Sequence, residues 1–451
     1  MSAVNAPDLS RVLVAGLGVT GRAVVEALQA RNSEVLAVDD QPTSVAAVAE
    51  ELRVELLDSS SATELERAFS GITSVVPSPG IPCHHLLYRL ADASGVEILS
   101  ELDLAALWND RPCAAVTGTN GKTTVTELTT QMLLASGIQA AAVGNTDTPF
   151  VSAIDDKEIG YEVFVVEASS FRLDRVRRFR AKAAAWLNLA PDHLDWHENF
   201  QAYARAKSKI WETQQEGDIA VAPHDDVAVG PWTKHISSQL LTFGLGKGDV
   251  HCTDGELIAH GERIVKISEL RRSRPHDQLN ACAATALALS MDASVQSVAE
   301  ALANFDGLAH RLEFVATANG VRFFDDSKAT TPHATVAGMA GFEQAVLIAG
   351  GRNKGLDLLE LRELAPRLAG VVVIGESAET LTHVFDGIVT TTLANSMEEA
   401  VKAATAIAQN SGGDVVLSPA CASFDWYRNY NERGDDFQRF VRLLEQGQIQ
   451  P

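Results

Sequence analysis

The run Ala115-Val-Thr-Gly-Thr-Asn-Gly-Lys-Thr-Thr124 gathers the groups that hold a polyphosphate. Residues 114–116 read as a strand, 118–121 as a tight loop, and 125–134 as a helix. Loop amides and a helix N-terminus then face an anion, with Lys122 beside it and the Thr123 hydroxyl placed for Mg²⁺. The standard phosphate-loop pattern has a glycine where Val116 stands, so this loop is a shortened form, with Gly118 three places before Gly121. A plain glycine-rich turn has no need of Gly-Lys-Thr. The expected ligand is ATP or GTP, held by Gly118, Thr119, Asn120, Gly121, Lys122, Thr123 and Thr124.

Further along, Phe164-Val-Val-Glu167 ends an apolar run on a carboxylate. In a nucleotide-binding parallel sheet that position faces the ligand crevice, where it can hold Mg²⁺. The plainer alternative is a surface glutamate. The stretch Asn188 to His197 is dense in possible metal ligands, including Asp192, His193, Asp195 and His197; the aspartates could equally cap a helix, and the histidines could be structural. Tyr203, Ala206, Lys207, Ile210 and Trp211 share one helical face by spacing, while Lys209 points away toward solvent. A lysine on such a face either snorkels to water or sits in a crevice with metal and phosphate. Three later loops follow apolar runs: Asp325 to Thr330, Gly350 to Gly355 with Lys354, and Ser418 to Tyr430 with Ser423. Three polar loops at strand ends of one domain suggest a small anionic or zwitterionic ligand.

The elements that must position these groups alternate between strand and helix. Arg11 to Gly16 reads as a buried strand entering Gly16-Leu-Gly-Val-Thr-Gly21, followed by a helix over 23–31 and a strand ending at Asp39-Asp40. That is a βαβ unit with a G-x-G-x-x-G turn and an acidic residue roughly 20 places on. Residues 75–80 look like a later strand and its loop. Strands are expected over 164–167 and 183–188, a helix over 202–211, antiparallel strands within 217–270, and an alanine-rich helix over 277–291. Parallel strands return at 345–349, 370–375 and 414–418. The expected class is α/β with three domains. These are a Rossmann-like N-terminal domain (1–100), a central domain (101–308), and a Rossmann-like C-terminal domain (309–451). The central domain is expected to carry a phosphate-loop ATPase-type parallel sheet and a small antiparallel sheet.

Composition narrows the class. The 451 residues are 46% hydrophobic and 21% charged, as in an ordinary globular enzyme, and exceed the roughly 100–200 residues of one domain. A net charge of −22 argues against nucleic acid as a partner, which calls for basic surface. No apolar run approaches the roughly 20 residues that span a bilayer, so no membrane insertion is expected. Residues 1–10 lack the basic start and apolar core of a secretion signal, so a cytoplasmic location is expected. The five cysteines have no C-x-x-C pairing and read as reduced.

Taken together, the chain resembles the Mur ligases from Gly16 to about Gly434. The motifs are G-x-G-x-T-G, T-G-T-N-G-K-T-T, E-x-S-S-F, N-x-x-x-D-H-L-D-x-H, Y-x-x-A-K, H-R, D-D-S-K-A-T and S-P-A-C-A-S-F-D. The last two mark the branch that adds D-glutamate. The resemblance implies ATP-dependent amide ligation in peptidoglycan precursor synthesis, through an acyl phosphate. The small-molecule substrates would be UDP-N-acetylmuramoyl-L-alanine and D-glutamate, and the chain is expected to act as a monomer. ATP would be used with Mg²⁺, two ions in all, with Lys122, His193 and Lys207 as catalytic groups. Thr123 and Glu167 would hold one ion, His193 a second, and Lys207 would be carbamylated so that its added carboxylate serves the metal. The UDP-substrate would meet Gly18, Val19, Thr20, Asp39, Gly80, Asn145 and Ser169. Asn280, Arg311 and Asp326 would meet adenine and ribose; Thr330, Lys354, Ser423 and Tyr430 would meet D-glutamate.

The chain departs from the family pattern at Asp147 (for Gly), Arg172 (for Gln), Gln41 (for Arg), Asp277 (for Asn) and Asn431 (for Glu). None belongs to the phosphoryl-transfer set; they bear on contacts to the muramoyl substrate and uracil. Three other readings stand beside this one. An NAD-linked dehydrogenase rests on residues 16–21 and Asp39 alone. A nucleotide-dependent switch needs no third domain lined by Lys354, Ser423 and Tyr430. A sister ligase would differ only in the acceptor amino acid.

Overall fold

The computed structural model describes residues 6–156, 159–194 and 196–451; Asp195 lies outside them. Three sheets follow one another along the chain. The first holds β1 (Arg11–Ala15), β2 (Glu34–Asp39), β3 (Glu55–Asp58), β4 (Ser74–Pro77) and β5 (Glu97–Ile98), all parallel, in the order β3-β2-β1-β4-β5. The order reverses at β1, and the crevice beyond the carboxyl end of that switch point is where such sheets take ligands. Gly16-to-Gly21 lies there. A Cβ on Gly21 would stand 1.7 Å from the Gly16 carbonyl oxygen, so only glycine lets the helix pack this close to the turn.

The second sheet has nine strands: β6 (Cys113–Thr117), β7 (Ala140–Gly144), β8 (Val163–Glu167), β9 (Ala183–Trp186), β10 (Ile219–Pro223), β11 (Gln239–Leu245), β12 (Val250–Thr253), β13 (Glu256–Ala259) and β14 (Glu262–Lys266). Their order is β14-β13-β12-β11-β10-β9-β6-β8-β7. The antiparallel part is therefore not a sheet of its own but the edge of this one. Strands β10, β11 and β12 pair in parallel, and only β12-β13-β14 are antiparallel. Alternating polarity gives a strand's two faces but not its direction, and the segment 224–238 is long enough for a parallel return. Strands β6 and β8 are buried along their whole length, which explains their continuous apolar runs. Trp186 ends β9 within a cluster containing Trp211 and Trp232, ring centroids 5.5 and 6.0 Å away. Trp186 and Trp211 are buried and Trp232 partly so; full burial of such a ring stabilises by about 1.5–3 kcal/mol, and the cluster fixes the strand end that enters the site.

The third sheet holds β15 (Glu313–Ala318), β16 (Val321–Asp325), β17 (Ala345–Gly350), β18 (Leu368–Ile374), β19 (Thr391–Leu393) and β20 (Asp414–Ala420). Its order is β15-β16-β20-β17-β18-β19, parallel except for the β15–β16 hairpin. The contacts divide the chain into two compact units. The first comprises Met1–Leu189, Trp196–Leu270 and Leu279–Asn304, with the first two sheets; the second comprises Ala190–Asp195, Arg271–Gln278 and Phe305–Pro451, with the third. No helix among the described residues is long and apolar enough to cross a membrane. The cysteines are free; Cys252 and Cys282 have sulfurs 3.5 Å apart in the first unit.

Two helices begin earlier than their apolar periodicity suggested. One spans Val19–Gln29 rather than starting at Ala23, and another spans Lys122–Ala135 rather than starting at Val125. Each is preceded by a glycine with no side-chain cap, Gly18 and Gly121. Apart from Val19, the first-turn residues are polar or glycine, so the apolar periodicity starts one turn later. The helix expected over 202–211 is Phe200–Ser208 continued by a 3-10 turn, Lys209–Trp211.

Candidate active site

The phosphate loop leaves β6 at Thr117 and enters its helix at Lys122. Gly121 has φ +85°, and a Cβ there would stand 2.5 Å from the Asn280 side-chain oxygen. Glycine thus supplies both the turn and the close approach of Asn280, one of the expected adenine contacts. Asn188, just beyond β9, braces the loop. Its Oδ1 accepts from the Thr119 and Asn120 amides at 3.1 and 2.9 Å, and its Nδ2 donates to the Asn120 carbonyl at 3.1 Å. The Tyr203 hydroxyl lies 3.1 Å from the Thr119 hydroxyl. Lys122 Nζ donates to the Gly118 and Thr119 carbonyls at 2.9 Å each. Thr123 and Thr124 follow on the first helical turn, half-buried.

Glu167 closes β8 and is 2% exposed. Its Oε1 accepts from Asn145 Nδ2 at 2.8 Å, whereas its Oε2 has no partner among the described residues. A buried carboxylate oxygen without a donor is costly, and a divalent cation is a fitting partner for it. Lys207 is 1% exposed; its Nζ donates to the Gly118 carbonyl at 2.7 Å and lies 4.6 Å from the Tyr203 ring centroid. The face of Tyr203, Ala206, Lys207, Ile210 and Trp211 is buried throughout. Lys209, expected to point to solvent, is half-buried and donates to the Asp174 carbonyl. The 3-10 turn at the helix end rotates it away from the position that regular helical spacing assigns. His197 is buried, with Nε2 2.9 Å from the Ser170 hydroxyl and its ring stacked on Phe171.

In the first sheet, Asp39 Oδ2 accepts from the Leu17 amide at 3.0 Å and Oδ1 from the Gln41 amide at 2.9 Å, so this carboxylate shapes the glycine turn. Gly18 and Val19 are exposed, as is Gly80 beyond β4. Thr20 accepts from Arg172 Nη2 at 2.9 Å, and Ser169 caps the short helix Ser170–Leu173 by accepting from the Arg172 amide. Asp147 lies on an exposed turn, where a glycine is not required.

In the second unit, His193 adopts φ +54°, with Nε2 3.3 Å from Asp192, and Asp192 also pairs with Lys354 Nζ at 3.1 Å. Arg311 is flanked by two residues in the left-handed region, His310 (φ +58°) and Leu312 (φ +53°). The acidic pair at the end of β16 holds both: Asp325 Oδ2 meets His310 Nδ1 at 2.7 Å, and Asp326 Oδ1 accepts from the Leu312 amide at 3.1 Å. The hydrogen bond to Asp325 raises the His310 pKa despite burial. Burial pushes the Asp326 carboxyl up to about 7, opposed by its hydrogen bond from Ser418. At Asp277, burial is outweighed by the adjacent His276 and by Arg272 at 3.0 Å, which hold the carboxyl at about 2. The aspartate at this position thus has an arginine partner.

Thr330 follows β16, Ser423 lies 2% exposed beyond β20, and Tyr430 opens the helix Tyr430–Glu445 under Lys328, whose Nζ is 3.7 Å from the ring centroid. Two contributors were not singled out by sequence reasoning. Asn188 opened the motif N-x-x-x-D-H-L-D-x-H but was given no role there. Arg433, inside a helix, is 1% exposed and donates to Ser327 Oγ at 3.0 Å, the Ser327 carbonyl at 2.8 Å and the Cys421 carbonyl at 3.1 Å. It joins the loops that follow β16 and β20; helical spacing sets it on the buried stripe of Phe437, Val441 and Leu444, a signal masked by the charged residues around it in sequence.

Three sequence profiles cover the chain: "Mur ligase MurD-like, N-terminal domain" over residues 10–100, "Mur ligase middle domain" over 116–288, and "Mur ligase, glutamate ligase domain" over 310–421. The chain belongs to the Mur ligase family. Within it, the chain is 39% identical to the UDP-N-acetylmuramoylalanine–D-glutamate ligase of Desulfosudis oleivorans, over 97% of each chain. It is 40% identical to the ligase of the same name from Frankia casuarinae, over 96% of this chain and 94% of that one. Among solved structures it shares its fold with the MurF ligase of Thermotoga maritima in complex with ADP, at TM-score 0.60 and 19% identity, covering 97% and 95% of the two chains. The UDP-N-acetylmuramate–alanine ligase of the same organism gives TM-score 0.59 at 19% identity, over 97% of this chain and 99% of that one.

Proposed function

We propose that this Mur ligase joins D-glutamate to UDP-N-acetylmuramoyl-L-alanine at the expense of ATP, in the cytoplasm, as a step of peptidoglycan precursor synthesis. The alanyl carboxylate attacks the γ-phosphorus of ATP and releases ADP. The amine of D-glutamate then attacks the acyl phosphate, forms the amide and expels phosphate. Segments 1–100, 101–308 and 309–451 are the domains for the UDP-substrate, ATP and the amino acid respectively. The observation that carries the reading is near-full-length identity of 39–40% to ligases of this name, with D-D-S-K-A-T and S-P-A-C-A-S-F-D intact.

Within this reading, the loop amides and Lys122 bind the transferring phosphoryl group and offset the charge of two approaching anions. Glu167, Thr123 and His193 would hold Mg²⁺, with Lys207 as a carbamate; the unpartnered Glu167 Oε2 supports the assignment. Bound there, the metal supplies Lewis-acid neutralisation of phosphoryl charge. Asn280, Arg311 and Asp326 orient adenine and ribose. Asn145 and Ser169 face the muramoyl-alanine end, and Gly18, Val19, Thr20, Asp39 and Gly80 the uridine diphosphate end. Thr330, Lys354, Ser423 and Tyr430 receive D-glutamate. The test is ATP turnover with UDP-N-acetylmuramoyl-L-alanine and a panel of amino acids. D-glutamate is expected to be the preferred acceptor; equal or faster turnover with L-alanine or a diamino acid overturns the proposal.

A further inference from the structure

We infer that Arg172, where the family pattern has glutamine, is a positioning residue for the diphosphate end of the UDP-substrate, acting through Thr20. The inference rests on the substrate reading above. Arg172 is 6% exposed and ties three helix starts together in the first unit. Its Nη2 donates to the Thr20 hydroxyl at 2.9 Å, on the first turn of Val19–Gln29. Its Nη1 meets Glu101 Oε2 at 2.5 Å, at the start of Glu101–Trp108. Its own amide donates to Ser169 Oγ, the cap of Ser170–Leu173. Glu101, 3% exposed, is fixed in turn by the Val151 amide at 2.9 Å.

The chemistry follows from the direction of these bonds. A threonine hydroxyl that accepts from a guanidinium keeps its own proton to donate, and the cationic donor polarises it toward a stronger outward bond. That hydroxyl belongs to a helical turn preceded by Gly18, which offers no side-chain cap, so the turn's amides and the Thr20 proton are available to one anion. Glu101 neutralises the guanidinium, so Arg172 contributes orientation rather than net charge. Its Nε is buried without a partner among the described residues, so the two Nη bonds alone set the orientation of the guanidinium. Glutamine is shorter and carries a single amide nitrogen, so it cannot span Glu101 and Thr20 as the two Nη atoms do.

Arg172→Gln alone strands the buried Glu101 carboxylate and endangers folding. The informative variants are therefore Arg172→Gln with Glu101→Gln, Arg172→Lys, and each combined with Thr20→Val. UDP is titrated calorimetrically into the full-length protein, and KM is measured for all three substrates. Loss of one charge-assisted bond is expected to weaken UDP about tenfold in the double variant, with a matching rise in KM for the UDP-substrate. KM for ATP and for D-glutamate should stay within about twofold, and the same Arg172 replacement made in a Thr20→Val protein should cost little beyond Thr20→Val alone, because Arg172 acts through that hydroxyl. Unchanged UDP affinity in the folded variant, or equal rises in all three KM values, overturns the role of Arg172. Failure of the unaltered protein to bind UDP overturns the substrate reading itself.

Discussion

Two cationic side chains are almost wholly buried, and they are buried for different ends. Lys207, in the nucleotide-binding unit, and Arg433, in the unit built on the third sheet, are each 1% exposed. Lys207 donates to the Gly118 carbonyl, with the Tyr203 ring beside it. Arg433 spreads its donors over Ser327 and the Cys421 carbonyl, and burial lowers its pKa only to about 10, so it stays charged at neutral pH. A lysine amine can lose its proton in an apolar place and then react; a guanidinium cannot, but its planar fork holds several acceptors at once. On the proposed function, the phosphoryl-transfer region would carry a buried group whose charge carbamylation inverts, and the acceptor region one whose charge and geometry are fixed.

The largest effect is expected where the comparison is sharpest. If Lys207 is carbamylated and serves the metal, Lys207→Ala should cost about 4 kcal/mol of transition-state stabilisation, roughly a thousandfold in turnover. Lys207→Arg should fail equally, since guanidinium keeps its positive charge. Acetate should restore part of the activity of the Ala variant by filling the vacated space with a carboxylate. An active Arg variant would make Lys207 a simple cation, like Arg433, and erase the contrast. Next comes Lys122→Ala, which removes charge from the phosphoryl group without touching Glu167 or Lys207. A loss of about 10²–10³ in kcat is expected, and near-normal turnover would show that the loop is not the catalytic cradle.

Much of this contrast was legible in the chain. Gly-Lys-Thr after a buried strand fixes the phosphate loop, and the strand-end position of Glu167 follows from its apolar run. Lys207 was visible because its neighbours at helical spacing are aromatic or aliphatic. Arg433 was passed over although Tyr430, Phe437, Phe440 and Val441 stand at helical spacing from it, because Glu432, Asp435 and Asp436 crowd it in sequence. Its burial is decided by the loops after β16 and β20, contacts more than a hundred and about a dozen residues away in sequence. Asn188 was hidden for a similar reason, since a loop brace is defined by the backbone it meets. The direction of β10 and β11 was illegible because alternation records faces and not pairing.

A smaller effect is expected at Arg433. Arg433→Lys keeps the charge but replaces a fork with one compact ammonium, leaving carbonyls of the two loops short of donors. Stability should fall by about 2 kcal/mol, seen in chemical denaturation. KM for D-glutamate should rise several-fold, with KM for the UDP-substrate unchanged. Equal changes in both KM values would show that this cation does not belong to the acceptor region alone.

The mildest effect concerns Asp326, which lets the second unit be probed by pH alone. Burial raises its carboxyl from 3.8 to about 7. Between those values the folded protein holds a proton that the unfolded chain has released. The contribution of this group to stability is therefore complete below about pH 4 and is lost as the pH rises through 7. Asp326→Asn cannot titrate, so it should escape that loss: its melting temperature should match the unaltered protein near pH 4 and exceed it by about 3 °C at pH 8. ATP binding should move oppositely. A carboxylate accepts ribose hydroxyls better than a protonated acid or an amide, so affinity in the unaltered protein should improve between pH 6 and 8 and stay flat in the variant. Parallel melting profiles for the two proteins would mean that Asp326 is already ionised at pH 5, with Ser418 and the Leu312 amide sufficient to hold its charge in the folded state.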